Sequence, residues 1–133
     1  MSLLILWGPV VAHMALLFSA SAAPDTGTVT ASLGDKFLHI AAYAPLGFLI
    51  LRALSGGRLA DITWPRALAA VVLSVLYGVS DEIHQIYVPG RTPDSLDVVA
   101  DAVGAALGVA ALASLKVIRK VYFDDPGTGR FPF

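Results

Sequence analysis

The chain contains no cysteine and few charged residues. Without cysteine it has neither disulfide bonds nor thiolate ligands for a metal. Charged residues make up 14% of the 133 positions and hydrophobic residues 56%, whereas about 25% of a soluble domain is charged. The net charge of −1 gives no basis for binding nucleic acid. These shortages exclude disulfides and a nucleic-acid partner, and they indicate that a lipid bilayer surrounds the chain.

Four apolar stretches are long enough to cross a bilayer as helices. A hydrocarbon core of about 30 Å takes ~20 helical residues. Segments rich in Pro and Gly separate the stretches, and Asp94 or Ser95 is a natural N-cap for the last one. We therefore predict an all-α, four-helix transmembrane bundle, one domain over residues 1–133, with spans at 3–23, 36–54, 65–87 and 95–118 and a flexible tail at 123–133.

The first stretch has a second interpretation. Residues 20–23 (Ala-Ser-Ala-Ala) follow an apolar run, as at the cleavage site of a signal peptide. No Lys or Arg precedes the run, however, and its ~20 residues suffice to span. We favour a retained helix, and the presence of residues 1–23 in the mature protein stays open at this point.

The basic residues predict the orientation. With the N-terminus inside, seven Lys and Arg lie on the cytoplasmic side and only Lys36 and Arg91 lie outside, as the positive-inside rule requires. Both termini are therefore predicted to be cytoplasmic, in a multi-pass protein of the bacterial cytoplasmic membrane. Seven of the ten acids fall on the outer side, namely Asp25, Asp35, Asp81, Glu82, Asp94, Asp97 and Asp101.

Three predicted helices carry an ionisable residue at the same depth. At 1.5 Å per residue, His39, Asp81 and Asp101 lie ~20–22 Å from the basic residues that mark the inner boundary. Such a group costs ~2.5–3.5 kcal/mol or more near the membrane centre unless it finds a partner. We therefore predict that these side chains converge with Glu82 and Asp97 in one cleft.

The last helix has one polar face that continues into small residues. Asp94, Asp97 and Asp101 are spaced i, i+3, i+7, which places them on one stripe. Gly104 and Gly108 continue that face in a small-xxx-small pattern, which lets two helices approach closely. The pattern predicts tight helix packing directly below the cleft.

The cleft holds more acids than bases. Its six carboxyl groups face only Lys36 and Arg91, so some are protonated or a cation binds. A divalent metal is one open alternative, since carboxylate oxygens and a His nitrogen are suitable ligands; the candidate ligands are His39, Asp81, Glu82, Asp97 and Asp101. Lys36 and Arg91 either bind an anionic head group or pair with Asp35 and Asp94.

The histidines and Asp81 have different expected roles. His39 and Asp81 are candidate acid–base residues, and the charge of Asp81 is expected to hold Lys36, Arg91 or an ion. His13 is expected to pack between helices, and His84 is expected to be solvated.

Three segments resemble the VanZ-like family: DKFLHIAAY (35–43), SDEIHQIYVPGR (80–91) and SLDVVADAVGAALG (95–108). The matching positions are Asp35, Lys36, His39, Tyr43, Asp81, Glu82, Gln85, Arg91, Asp97, Gly104 and Gly108. Asp101 stands where the family usually has Asn. The family is named for a protein associated with teicoplanin resistance.

The resemblance and the acidic cleft lead to three functional hypotheses. In the first, the cleft engages a lipid-linked cell-envelope component or an amphiphilic antibiotic of the teicoplanin type, with Asp35, Lys36, Tyr43, Glu82, Gln85, Arg91, Asp97 and Asp101 as binding residues. In the second, the protein is a hydrolase of a phosphate or acyl ester in the outer leaflet, using His39 and Asp81. In the third, it is a structural membrane subunit. The sequence gives no oligomeric state.

Reporter fusions in two loops test the predicted topology. A reporter at Gly57 should be cytoplasmic and one at Gly90 external, because the basic residues cluster on the side of Gly57. A fluorescent reporter active only in the cytoplasm, and a phosphatase active only outside, should give opposite readings at the two positions. The reversed pattern would contradict the predicted orientation.

Overall fold

The computed structural model describes residues 1–23 and 33–124. These residues form four long helices, α1 (Leu3–Ser21), α2 (Leu33–Leu54), α3 (Trp64–Gln85) and α4 (Ser95–Arg119), with a 3₁₀ turn at Leu59–Asp61 and a π-helical turn at Lys120–Asp124. Each long helix has the length and apolarity to cross a membrane. The described ranges contain no strand, so the predicted all-α, four-helix fold is confirmed.

The helix bounds differ from the predicted spans by a few residues. α2 begins at Leu33 and α3 ends at Gln85, earlier than predicted in both cases. α3 ends early because the Tyr87 and Val88 amides each donate to a carbonyl three residues back, which tightens the chain before Pro89. Residues 24–32 and 125–133 lie outside the described residues. They include Asp25 and positions 125–133 of the predicted tail.

α2 and α4 pack closely enough for their backbones to touch. A Cβ atom added to Gly104 would lie 2.9 Å from a backbone atom of α2, and one added to Gly108 would lie 2.7 Å from the carbonyl carbon of Ala44. On the facing helix, a Cβ atom at Gly47 would lie 2.8 Å from the Cα of Ala105. The close approach predicted from the glycine spacing is confirmed.

α1 lies at the edge of the bundle and buries only three side chains. Three hydrogen bonds to main-chain carbonyls attach it to its neighbours, one of them from Arg52 Nη1 on α2 to the carbonyl of Ile5 at 3.3 Å. His13 Nε2 donates to the carbonyl of Ala42 on α2 at 2.9 Å, and the Tyr77 hydroxyl on α3 donates to the carbonyl of Met14 at 2.6 Å. His13 therefore has the packing role that the sequence predicted for it.

The bundle has two chemically different ends. The acidic end carries Asp35, Lys36, His39, Asp81, Glu82, Asp94, Asp97 and Asp101 on α2, α3 and α4. The basic end, at the opposite ends of these helices, carries Arg52, Arg58, Arg66, Lys116, Arg119 and Lys120. The outward orientation of the acidic end stays a prediction.

The glycine contact between α2 and α4 generates a stability test. Gly108→Ala places a methyl group against the backbone of α2 and should cost about 1–3 kcal/mol, as overpacking typically does. Gly8→Ala is the matched control, because a Cβ atom there meets nothing within 4 Å. Thermal unfolding in detergent should show a lower Tm for Gly108→Ala alone. Equal Tm values for both variants would mean that the helices separate freely at this point.

Candidate functional site

Lys36 ties the first turns of α2 and α4 together. Its Nζ contacts a carboxylate oxygen of Asp94 at 2.5 Å and also bonds to Asp97. Asp94 is the N-cap of α4, as the sequence allowed, because its Oδ1 accepts from the Leu96 amide at 2.9 Å. The ion pair with Lys36 lowers the pKa of Asp94 below its ordinary value. Lys36 thus has two carboxylate partners, and neither of them is Asp81.

Glu82 stabilises the connection between α3 and α4. Its Oε2 accepts from the Asp94 amide at 2.8 Å, and its Oε1 lies 3.5 Å from the side-chain nitrogen of Gln85. A carboxylate that accepts backbone and amide hydrogens in this way has its charge stabilised by dipoles. Glu82 therefore has a structural role at the start of α4.

His39 lies between two carboxylates of α4. Its Nδ1 donates to Asp101 Oδ1 at 2.8 Å, and its Nε2 lies 3.8 Å from Asp97 Oδ2. Its ring stacks on the buried Tyr43, with centroids 6.4 Å apart. A carboxylate bonded to one ring nitrogen orients an imidazole and leaves the other nitrogen for a proton or a metal.

The side chain of Asp101 occupies space that the missing side chain of Gly78 leaves free. The side chain is fully buried, and a Cβ atom at Gly78 on α3 would overlap Asp101 Oδ2. That oxygen has no hydrogen-bond partner in the described part of the chain. Only the His39 side of the carboxylate is therefore satisfied.

A cavity of about 300 Å³ opens beside these pairs, between α1, α2 and α3. Its polar lining consists of Ser21, Asp35, His39, Tyr43, Asp81, Gln85 and Arg91, and its apolar lining of Leu17, Ala20, Leu38 and Ala42. Asp81 is buried, and its Oδ1 has no hydrogen-bond partner among the residues described. We call this space the acidic-end cavity.

The predicted site residues thus fall into two groups. Lys36, Glu82, Asp94, Asp97 and Asp101 bind one another, His39 or the α4 backbone. Asp35, His39, Tyr43, Asp81, Gln85 and Arg91 line the acidic-end cavity. His39 and Gln85 connect the two groups, because both line the cavity while His39 bonds to Asp101 and Gln85 lies 3.5 Å from Glu82. Of the predicted convergence, the structure shows the meeting of His39 with Asp97 and Asp101, and Asp81 lines the same cavity as His39.

One cluster in the described structure has the geometry of a metal site. Asp35, His39 and Asp97 each offer a ligand atom within 4.8 Å of the others. Two carboxylates with an imidazole suit a divalent cation. Asp35 was not among the metal ligands predicted from the sequence, although its i, i+4 spacing to His39 was visible there. Of the predicted metal candidates, Glu82 bonds to the Asp94 amide instead.

Several residues have contacts that differ from those predicted or that were not predicted. The ring of His84 packs on Phe18 with centroids 4.4 Å apart, so the expected solvation of His84 is wrong. Arg91 has no ion pair within the described ranges; its Nε lies 3.4 Å from the carbonyl of Ala23. The contribution of α1 to the cavity, through Leu17 and neighbours, carries no motif that could have predicted it.

The chain belongs to the VanZ/LLP1 family, whose model matches residues 6–117. The match runs from α1 into the last turn of α4 and contains every residue of both groups described above. No curated protein and no solved structure matches the chain. The family membership predicted from the three sequence segments is confirmed.

The lowered pKa of Asp94 predicts acid sensitivity. Because Lys36 lowers this pKa, the ion pair stabilises the fold above about pH 4, the ordinary aspartate value, and is lost as the pH falls through the lowered value. Asp94→Asn should reduce the Tm at pH 7 and flatten its dependence below pH 4, while it keeps the helix cap.

Two further variants separate the ion pair from the cap. Asp94→Ala should be less stable than Asp94→Asn, because alanine removes the cap as well. Asp61→Asn, at the basic end, controls for the loss of one exposed carboxylate. Thermal unfolding between pH 3 and pH 7 gives the Tm of each variant and of the unmodified protein. An Asp94→Asn variant with the acid profile of the unmodified protein would rule out a stabilising pair with Lys36.

Proposed function

We propose that this VanZ/LLP1 protein binds the polar part of an amphiphile in its acidic-end cavity, at the outer leaflet of the membrane. The ligand is a lipid-linked cell-envelope component or an amphiphilic antibiotic. The observation that carries the proposal is Asp81, a buried carboxylate that lines the cavity and whose Oδ1 has no hydrogen-bond partner in the described structure. An unsatisfied buried acceptor costs about 1–3 kcal/mol, more when charged, and a ligand donor would remove that cost.

The charges of the cavity favour a ligand that donates hydrogen bonds. Asp35 and Asp81 supply carboxylate oxygens, which accept from the amines and hydroxyls of amino sugars, sugars and peptides. Arg91 is the basic residue in the lining and suits a phosphate or carboxylate on the same ligand. A head group with several donors and one anionic group fits this combination.

The shape of the cavity favours an amphiphile. Leu17, Leu38 and Ala42 form an apolar wall beside the polar groups, and the helices that carry them have the length and apolarity of membrane spans. A volume of about 300 Å³ is at the lower limit for ligand pockets. We expect one sugar or amine-bearing group to enter the cavity, while the rest of the molecule stays outside.

The family supports the antibiotic as one of the two ligands. The VanZ-like family is named for a protein associated with teicoplanin resistance, and a teicoplanin-type molecule combines amino and hydroxyl groups with an acyl chain. A lipid-linked envelope component has the same two-part character. The chemistry of the cavity suits both.

A hydrolase is the second candidate, and the environment of His39 favours it. Asp101 holds Nδ1 of His39, so Nε2 is available as a general base or metal ligand. Asp35 and Asp97 lie near enough to share a divalent cation with His39. Such a cation would polarise a phosphate or acyl ester and activate water, with Asp81, which lines the same cavity, as a proton acceptor.

Equilibrium binding of two fluorescent amphiphiles tests the proposal. The probes are a teicoplanin-type lipoglycopeptide and a lipid-linked cell-wall precursor, each titrated against the protein in nanodiscs. Asp81→Asn should weaken binding of at least one probe about tenfold or more, since hydrogen bonds to charged groups contribute about 1.5–3 kcal/mol. The same variant should keep or raise the Tm, because it removes a buried charge, one oxygen of which has no hydrogen-bond partner in the described structure.

The matched control for this experiment is Asp61→Asn, which removes an exposed carboxylate at the basic end and should leave both affinities unchanged. The proposal would be refuted if neither probe bound, or if Asp81→Asn bound both probes as tightly as the unmodified protein. Turnover of the precursor that needs a divalent cation, and that stops in His39→Asn, would instead favour the hydrolase.

A further inference from the structure

A second cavity, of about 230 Å³, lies at the basic end of the bundle. Its polar lining includes Arg52, Ser55 and Arg58, and its apolar lining includes Phe48, Ile62 and Leu112. The residues come from the end of α2, the following loop and α4. None of them belongs to the acidic-end cavity.

The polar groups of this basic-end cavity are poorly satisfied within the protein. Ser55 is buried, and its hydroxyl has no hydrogen-bond partner in the described ranges. Arg52 uses Nη1 to donate to the carbonyl of Ile5 at 3.3 Å. Arg58 has its Nε 3.6 Å from Asp61 with a side chain 75% exposed, and such exposed pairs contribute little.

The combination of donors suits a phosphate group. Two guanidinium groups and a hydroxyl can all donate hydrogen bonds to the oxygens of an anion. A guanidinium group can bind phosphate with two parallel hydrogen bonds. Asp61 is the one acid among the described side chains of this end, against six Lys and Arg. The local charge therefore favours an anion.

An apolar groove adjoins the cavity. It has a volume of about 600 Å³, runs along the surface of α2 and α4, and is lined by Ala44, Pro45, Leu49, Leu107 and Ala111 together with Phe48. Phe48 lines both the groove and the basic-end cavity. The cavity and the groove therefore meet at Phe48, so one molecule with an anionic head and an apolar chain would contact both.

We propose that the basic-end cavity and the groove together bind one anionic phospholipid. Its phosphate contacts Arg52, Ser55 and Arg58, and one acyl chain follows the groove between α2 and α4. The site is independent of the function proposed for the acidic end, since the two share no residue.

Native mass spectrometry of the full-length protein in detergent tests this site. The probes are phosphatidylglycerol and phosphatidylcholine with identical acyl chains. We expect preferential retention of phosphatidylglycerol, and an affinity for it that falls about tenfold in the variant Arg52→Gln/Arg58→Gln, because charge-assisted hydrogen bonds contribute at least this factor. Binding of phosphatidylcholine should be unaffected.

The control variant is Arg119→Gln/Lys120→Gln, which removes the same charge from exposed positions outside the cavity. Its affinity for phosphatidylglycerol should stay within about twofold, since exposed charges are screened. An equal loss in both double variants would show diffuse electrostatic attraction and overturn the proposal. If the cavity variant fails to fold, Arg58→Gln alone makes the same comparison, because Arg58 is largely exposed.

A third arm separates a lipid from a free anion. Inorganic phosphate should compete weakly, and Ala111→Phe, which fills the groove, should reduce phosphatidylglycerol binding without affecting phosphate. Inorganic phosphate that binds as tightly as the lipid, or an Ala111→Phe variant with unchanged lipid affinity, would mean that the groove contributes nothing and would refute the lipid assignment.

Discussion

Direct backbone contact between α2 and α4 determines how far apart the groups of the acidic end lie. Gly47, Gly104 and Gly108 leave no side chain between the two helices, so the helix axes approach closely. The short side chains of His39 and Asp101 can then meet at 2.8 Å. Lys36 has a longer reach and would still find a carboxylate if the helices were farther apart, but the imidazole would not. The packing in the apolar half of the bundle therefore makes the polar contacts of the other half feasible.

The carboxylates of the acidic end differ in how completely the protein satisfies them. Those on α4 and Glu82 have partners in Lys36, His39 or backbone amides, and they hold the helix ends in register. Asp81 and Asp101 each keep one oxygen without a hydrogen-bond partner within the described chain, and of the two only Asp81 lines the cavity. A purely structural network would leave no such group, because a buried polar atom without a partner reduces stability. Buried polar atoms without a partner are expected where a protein binds a ligand or catalyses a reaction.

The sequence was sufficient for the helices, the close helix contact, the α4 cap and the meeting of His39 with Asp97 and Asp101. The helices and the cap depend on length, apolarity and spacing along one helix. The contacts between α2 and α4 follow from the glycine spacing and from the matching depths of His39 and Asp101, which can also be read from the chain. The pairing of Lys36 with Asp94 was one of the alternatives that the sequence offered. The bond from Lys36 to Asp97, the position of His84 against Phe18 and the wall that α1 adds to the cavity were not predictable. They depend on the rotation of each helix about its axis and on side-chain reach, both of which follow from packing between helices. The metal geometry around Asp35 was missed for the same reason.

The attachment of α1 has a consequence for its tolerance of mutation. The three hydrogen bonds that join it to α2 and α3 end on main-chain carbonyls, those of Ile5, Met14 and Ala42. Any amino acid supplies such a carbonyl, so the acceptor positions can change identity while the bonds persist. Only the donors, His13, Arg52 and Tyr77, require a particular side chain. Because α1 buries only three of its side chains, its composition can drift along much of its length during evolution while its place beside α2 and α3 is retained.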